Sequence, residues 1–372
     1  MDTSKLGKIE AIALVAIVMI NHIIVNSPKM FISTTNSSAL LNVLFVAIIG
    51  FAITYLVYRI YQKLQYPDLL DISEFLGGKI LKIVIGVLYL FYFLIISAIL
   101  LRSFCESIKA IYFYNIPLYI LVIIFLLGAI LVNRLGFNAV SRVNLILIPG
   151  ILISIAVIAF SLIDKMNIER IFPLLGYGAK ETFLIGSSNL FAFCGLSYLY
   201  FLPPFLKKKK DFKTISFWSI RISAVYLFLS IASLLLVFPY MAQTSELLSI
   251  YISTRAIEYS RFFQRTDAIF VFLWILSVFS YISIALYFSC YVFKKLTNSK
   301  HSRPMIWCFS AILFAITILP RNVTQLKILE NTLYRYFTLI LVFGISLFII
   351  ILAYFKHKKT NRLPKEGDIQ IE

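Results

Sequence analysis

Apolar runs of about 20 residues recur from one end of this chain to the other, and that repetition limits the fold more than any motif does. A helix rises about 1.5 Å per residue, so a run of that length crosses the hydrocarbon of a bilayer as an α-helix. A transmembrane β-strand would need runs about half as long, with alternating polarity. Ten runs cover approximately residues 9–27, 40–61, 81–104, 116–133, 140–163, 183–205, 213–239, 266–293, 304–320 and 333–355. With 60% hydrophobic and only 14% charged residues over 372 positions, the chain reads as an all-α integral membrane protein. Residues 1–355 form a single membrane domain, and 356–372 form a polar cytoplasmic tail.

A formal net charge of +18 invites a nucleic-acid reading, but the placement of the charge argues against it. With the N-terminus inside, most of the 35 Lys+Arg fall in or beside the even-numbered connections and the two tails. That asymmetry is the positive-inside pattern, and it puts both termini in the cytoplasm. Lys207 to Lys210 with Lys213, then Lys294, Lys295, Lys300 and Arg303, are its strongest markers. Such clusters anchor topology and meet anionic lipid headgroups. Cys105, Cys194, Cys290 and Cys308 sit in apolar spans without CxxC spacing, so they read as buried small hydrophobes. Lys5 and Lys8 precede the first apolar run with no small-residue cleavage site, as in a retained first span.

One span contains its own interruption. In ETFLIGSSNLFAFCGLSYLYFLPPFL, from Glu181 to Leu206, the polar residues Ser187, Ser188 and Asn189 follow Gly186 inside an apolar run. Gly195 comes later, and Pro203 and Pro204 end the segment before four lysines. A broken helix frees backbone groups that lipid cannot satisfy, so the break must face protein or a watery cavity. The first span turns polar at Asn21, His22, Asn26, Ser27 and Pro28, which marks either its surface end or a second break five spans before the other. Breaks in spans one and six, with polar positions on spans three and eight, fit a five-plus-five inverted repeat of 9–163 and 183–355.

The connections carry smaller signals. Ser73 is placed to cap a short interfacial helix after span two. Arg102 and Glu106 stand four apart and pair on one helix face near the outer surface, as a solvated or interfacial ion pair. Pro149 and Gly150 interrupt span five, either as a plain kink or as a place where freed carbonyls receive a cation. The outer segment after span seven, LLSIYISTRAIEYSRFF, has the spacing of an amphipathic surface helix. Ser280, Ser283 and Tyr287 share one face of span eight.

Several chemistries find nothing to rest on. His22, His301 and His357 are far apart and lack the i,i+4 pairing of a helical metal site, so neither metal nor other cofactor is expected. GxSxG, Walker A and GxGxxG motifs are missing, and no acid falls at the centre of any of the ten runs. The chain therefore reads as a non-enzyme, and vigorous proton-coupled transport is disfavoured.

Two segments resemble a known family. ERIFPLLGYGAKETFLIGSSNLFAFCGLSYLYFLPPFLKKKK is similar to the spore germination permease family, the B subunits of germinant receptors within the amino acid-polyamine-organocation superfamily, in its Pro-Leu-Leu, glycine-containing outer turn, broken sixth helix and Pro before basic residues. FFQRTDAIFVFLWILSVF resembles the family's Arg-x-Asp at the start of helix eight, with Trp274. Where many members carry a Gly-Glu pair, this chain has Cys194 and Gly195. The resemblance implies a LeuT-like fold in the inner membrane of a dormant spore, an amino acid or similar nutrient as ligand, and a receptor A subunit and a C lipoprotein as partners.

The leading expectation is thus a nutrient-sensing receptor subunit that triggers germination. Backbone N–H groups at Val25, Asn26 and Ser27 and at Gly186, Ser187, Ser188 and Asn189 would meet the carboxylate of the nutrient. Its side chain would lie against Tyr92, Ser97, Ala192, Ser283 and Tyr287. The alternative is a free-standing secondary amino acid transporter that cycles between inward and outward states.

Overall fold

The computed structural model describes residues 5–25, 27–238, 266–299 and 303–364, which are almost wholly helical. The elements are α1 (Lys8–Val25), α2 (Ser27–Thr35), α3 (Ala39–Lys63), α4 (Leu69–Ile111), α5 (Leu118–Arg134), α6 (Phe137–Ser161), α7 (Leu196–Leu199), α8 (Phe212–Leu235), α9 (Thr266–Thr297), α10 (Arg303–Ile318) and α11 (Val323–Thr360). Among the described residues, seven helical stretches are long and apolar enough to cross a membrane. The shorter apolar α5 and α10, and the irregular sixth span, complete ten crossings. The expected amphipathic helix between spans seven and eight lies outside the described residues, as does Asn26.

α1 sits at the centre. It is apolar on every side and buried continuously from Ala13 to Ile24, as a helix without a lipid face must be. It packs against α6, α8 and α9, while α9 also lies along α4 and α5. Three asparagines from three helices stitch α9 in place. Asn21 of α1 donates to the Ser277 carbonyl at 3.2 Å and accepts from the Ser277 hydroxyl at 3.0 Å. Asn144 of α6 accepts from Ser280, and Asn133 of α5 donates to the Ser283 carbonyl at 3.0 Å. In lipid, where apolar contact between helices gains little over contact with tails, such bonds and close packing hold neighbours together.

Several local expectations are revised. The helix after span two is capped by Asp68, whose carboxylate accepts from the Asp71 amide at 3.0 Å. Ser73 lies inside that helix and bonds back to the Leu69 carbonyl instead. Gly77 and Gly78 then bend α4, and Gly78 takes φ 71° and ψ −166°, a conformation open essentially to glycine alone. Pro149 is accommodated inside α6 without ending it. Arg102 and Glu106 do pair, at 2.8 Å, but Arg102 is buried and also donates to the Thr317 carbonyl. The pair is part of the packing between α4 and α10 rather than a solvated one. Cys308, unlike the other three cysteines, is exposed.

The end of the bundle that carries the N-terminal segment is tied shut. Leu6 pairs with the end of the sixth span, donating to Phe205 at 2.7 Å and accepting from Lys207 at 3.0 Å. Lys295, near the end of α9, reaches the carboxylates of Asp68 at 2.6 Å and Asp71 at 2.7 Å, and Tyr291 donates to Asp68 as well. Burial alone would raise the Asp68 pKa. The Lys295 charge and the hydrogen bonds from Lys295, Tyr291 and the Asp71 amide outweigh it and hold that carboxyl below the ordinary range.

Candidate ligand site

The sixth span is irregular over more of its length than the sequence indicates. A π-helical turn, Lys180–Ile185, leads into a 3-10 stretch, Gly186–Phe193, before the single turn of α7. Close approach of a neighbour fixes the change of winding. Asn42 of α3 donates to the Thr182 carbonyl at 2.7 Å and accepts from Asn189 at 2.8 Å. A Cβ on Gly186 would stand 2.3 Å from the Asn42 amide nitrogen, so only glycine lets that side chain pass. The first span is helical through Asn21 to Val25, and α2 runs from Ser27, whose hydroxyl donates to the His22 carbonyl at 3.0 Å.

α11 is irregular at the same place. A π-helical turn, Glu330–Tyr334, interrupts it where it passes the sixth span. Such turns insert a residue into the helix and often mark functional positions. Here the turn brings Glu330 and Tyr334 to a small cavity shared with His22, Val25, Ile96, Ile99 and Leu100. At 10 Å³ the cavity has room for roughly one water. The His22 ring packs edge-on against Tyr281 with centroids 4.9 Å apart, and is stacked with Tyr334 at 5.4 Å. Ser103 donates to Glu330, so this carboxylate is held from the α4 side. One carboxylate, one imidazole and one phenol thus meet an otherwise aliphatic wall. The lining offers an anion, an imidazole and a phenol beside aliphatic surface, and admitting anything larger than a water requires the helices around it to part.

The candidate residues divide into four groups. Val25 lines the cavity, and Ser97 approaches it through the Tyr281 hydroxyl at 3.3 Å. Tyr92 is buried in the adjoining aromatic layer, edge-on to Phe337, and Ala192 is buried in the 3-10 stretch. Gly186, Ser187, Ser188 and Asn189 lie at the Asn42 contact, where Ser187 and Ser188 bond back to the carbonyls of Leu184 and Ile185. Ser283 and Tyr287 stand apart from the cavity. Ser283 faces α5 through Asn133, and Tyr287 stacks on Phe137 with centroids 4.0 Å apart.

Sequence reasoning missed the chemically strongest groups. Glu330 falls in the short connection between runs nine and ten and Arg335 at the start of run ten, yet the helix begins at Val323, so both lie well inside it. Glu330 is therefore an acid within a membrane-spanning helix, toward its start rather than at its centre. Arg335 donates to Ser188 and, at 2.9 Å, to Asn189, and its guanidinium lies 5.7 Å from the Phe191 ring centre. The signal was available in the unbroken helical spacing from Val323 onward, masked by the charges themselves.

Solved structures share this architecture at low sequence identity. A Na+-coupled sialic acid symporter in a substrate-bound, outward-open state superposes with a TM-score of 0.63 at 12% identity, over 93% of this chain and 78% of that one. A mutant manganese transporter of Eremococcus coleocola gives 0.51 at 13%, over 93% and 76%. The fold is therefore the LeuT-type five-plus-five repeat with broken first and sixth helices. Among sequences, spore germination protein A2 of Bacillus subtilis is 23% identical over 93% of this chain and 95% of its own length. Spore germination protein KB of the same organism is 23% identical over 89% and 90%. A profile of the spore germination protein family matches residues 5–326, and the chain belongs to that family.

Proposed function

We propose that this protein is the permease-like B subunit of a germinant receptor, which binds an amino acid or similar small nutrient within the membrane and triggers spore germination. The observation that carries the reading is the meeting of Glu330, His22 and Tyr334 on a cavity between the first span, α4 and α11. Binding there would favour one packing of the repeats over another, and partner subunits would read the difference. An A subunit, a C lipoprotein and the surrounding lipid are the partners, and the inner membrane of the spore is the site, with both termini in the cytoplasm. The protein works without catalysing a reaction.

The test is germination of spores carrying Glu330→Gln across a panel of nutrients, with the protein level checked by immunoblot. Glutamine keeps the size of the side chain and an acceptor for Ser103 while removing the charge. Expected is a dose requirement raised by about tenfold or more for one nutrient, and an unchanged response to non-nutrient triggers. Unaltered dose dependence for every nutrient that acts through this chain would overturn the site.

A second reading, a free-standing transporter, draws on the fold that this chain shares with transporters. Saturable, concentrative uptake of an amino acid into vesicles containing this chain alone would favour it. The narrowness of the cavity and the buried ties at the N-terminal end speak for a subunit held in one state.

A further inference from the structure

Arg134 closes α5 and Trp307 lies near the start of α10, and the packing of these helices brings the two side chains together. The guanidinium carbon of Arg134 stands 5.2 Å from the centre of the indole ring. With Pro304 and Ile306 the pair lines an open groove of about 510 Å³, within the roughly 300–1,000 Å³ usual for small-molecule sites. Ile306 is buried, whereas Arg134, Pro304 and Trp307 are exposed, so an apolar floor lies under a charged and aromatic rim. Phe309, two positions after Trp307, meets Phe293 edge-on at 5.6 Å, and Phe293 lies two positions before Lys295. The groove therefore opens on the outer surface of the bundle at the end that Lys295 and Leu6 tie shut.

Two other cations lie over rings, Arg59 over Tyr55 and Arg221 over Trp218, but each of those pairs is four or three apart on a single helix. Local helical spacing alone produces such contacts. Arg134 and Trp307 come instead from spans four and nine, the counterpart helices of the two repeats. The indole occupies one face of the guanidinium and leaves its edge free, and that edge is the fork that grips two oxygens of a phosphate. Among the described residues no carboxylate pairs with Arg134 and no oxygen accepts from it, so its positive charge is unanswered. Tryptophan and arginine at the end of a membrane span are set at headgroup depth. A cation there, beside apolar surface that continues along the helices, matches a lipid phosphate above an acyl chain. A headgroup with net negative charge is favoured over a zwitterionic one, because the latter brings its own ammonium to an already positive site.

We propose that the groove between α5 and α10 binds one anionic phospholipid, with its phosphate in the fork of Arg134 and its first acyl carbons against Trp307 and Ile306. The site is independent of the nutrient cavity and stands whether the chain senses or transports. Its consequence is mechanical. α5 and α10 both pack on α4 and α9, so a lipid that touches the first two joins one helix of each repeat across the outside of that scaffold.

The experiment measures thermal shifts of the full chain, delipidated in a non-ionic detergent, on titration with dioleoyl phosphatidylglycerol and with dioleoyl phosphatidylcholine. Expected is stabilisation by phosphatidylglycerol at concentrations about tenfold below those needed with phosphatidylcholine. Arg134→Gln removes that preference, and Arg134→Lys, which keeps the charge but not the fork, retains part of it. Arg221→Gln, which removes a cation from the pair within α8, leaves the preference intact. Trp307→Ala weakens phosphatidylglycerol by a few fold and serves if Arg134→Gln fails to fold. Equal response to the two lipids or response to neither would overturn the proposal. So would a preference that survives Arg134→Gln or, where that variant does not fold, survives Trp307→Ala. A preference lost as fully in Arg221→Gln would reduce the effect to general charge attraction and overturn the site. Soluble glycerol phosphate, which has the headgroup chemistry without the chains, is expected to give no shift at these concentrations. If it stabilises as well as phosphatidylglycerol does, the ligand is a free phosphate and the lipid assignment falls.

Discussion

Lys295 Nζ lies 2.6 Å from Asp68 Oδ2, and both side chains are buried where α9 ends and α4 begins. Asp71 adds a second carboxylate at 2.7 Å, so one cation answers two anions. Removing one member of a buried pair leaves an uncompensated charge and costs about 3–5 kcal/mol. Lys295→Met is therefore expected to destabilise the protein on that scale in detergent, read as a large drop in melting temperature. Adding Asp68→Asn and Asp71→Asn to it should restore much of the loss, because the uncompensated anions are then gone. If the triple variant is no more stable than the single one, the cluster does not act through its charge.

The same cluster sets an acid limit. The Asp68 pKa is depressed in the folded protein, so this group adds stability above its unfolded value, about 3.9, and loses it as pH falls through the folded value. From pH 8 to about 5 its contribution is constant. In an Asp71→Asn background, which removes the neighbouring carboxyl on Lys295, the loss of melting temperature on adding Asp68→Asn should be flat over that range and shrink below about pH 4. A difference that shrinks instead between pH 8 and 6 would assign the titration to another group.

Gly186 and Asn42 test the sixth span. A methyl at Gly186 would meet the Asn42 amide at 2.3 Å and the Glu181 carbonyl at 3.0 Å. Gly186→Ala should push Asn42 off Thr182 and Asn189, with a loss of about 1–3 kcal/mol from overpacking. Asn42→Ala makes room, so the double variant should be more stable than the sum of the two single losses implies. Strict additivity in urea or heat unfolding would show that the glycine is not held open for Asn42.

Much of the fold is legible from run length and polarity alone, because lipid admits only satisfied backbone and so sorts the chain into crossings. The break of the sixth span announces itself through Gly186 and Asn189 inside an apolar run, and it is there. The site is less legible, for a physical reason. Ser283 and Tyr287 do share a helical face, but a helix in the bundle has neighbours all round, and that face meets Asn133 and Phe137 rather than the cavity. Glu330 reads as loop, and Arg335 as no more than the start of run ten, because charges end an apolar run on a hydropathy scale. What keeps them in the span is their partners, Ser103 for one and Ser188 with Asn189 for the other, which lie over 140 positions away in the chain.

Leu100 offers a test of the cavity that leaves every polar group untouched. It is buried on α4 and forms part of the aliphatic wall opposite Glu330 and Tyr334. Leu100→Ala removes three carbons from a site with room for little more than one water, and such truncations cost about 2–5 kcal/mol depending on how far the surroundings collapse. If the wall instead holds its shape, the cavity grows on the side away from the charges. Sensitivity in a germination panel should then move toward nutrients with bulkier side chains. Thermal melting of the purified variant reports the first effect and dose–response curves of the spores report the second. A variant that melts lower, yet keeps the same order of preference among small and large amino acids, would place the side chain of the nutrient elsewhere than against α4.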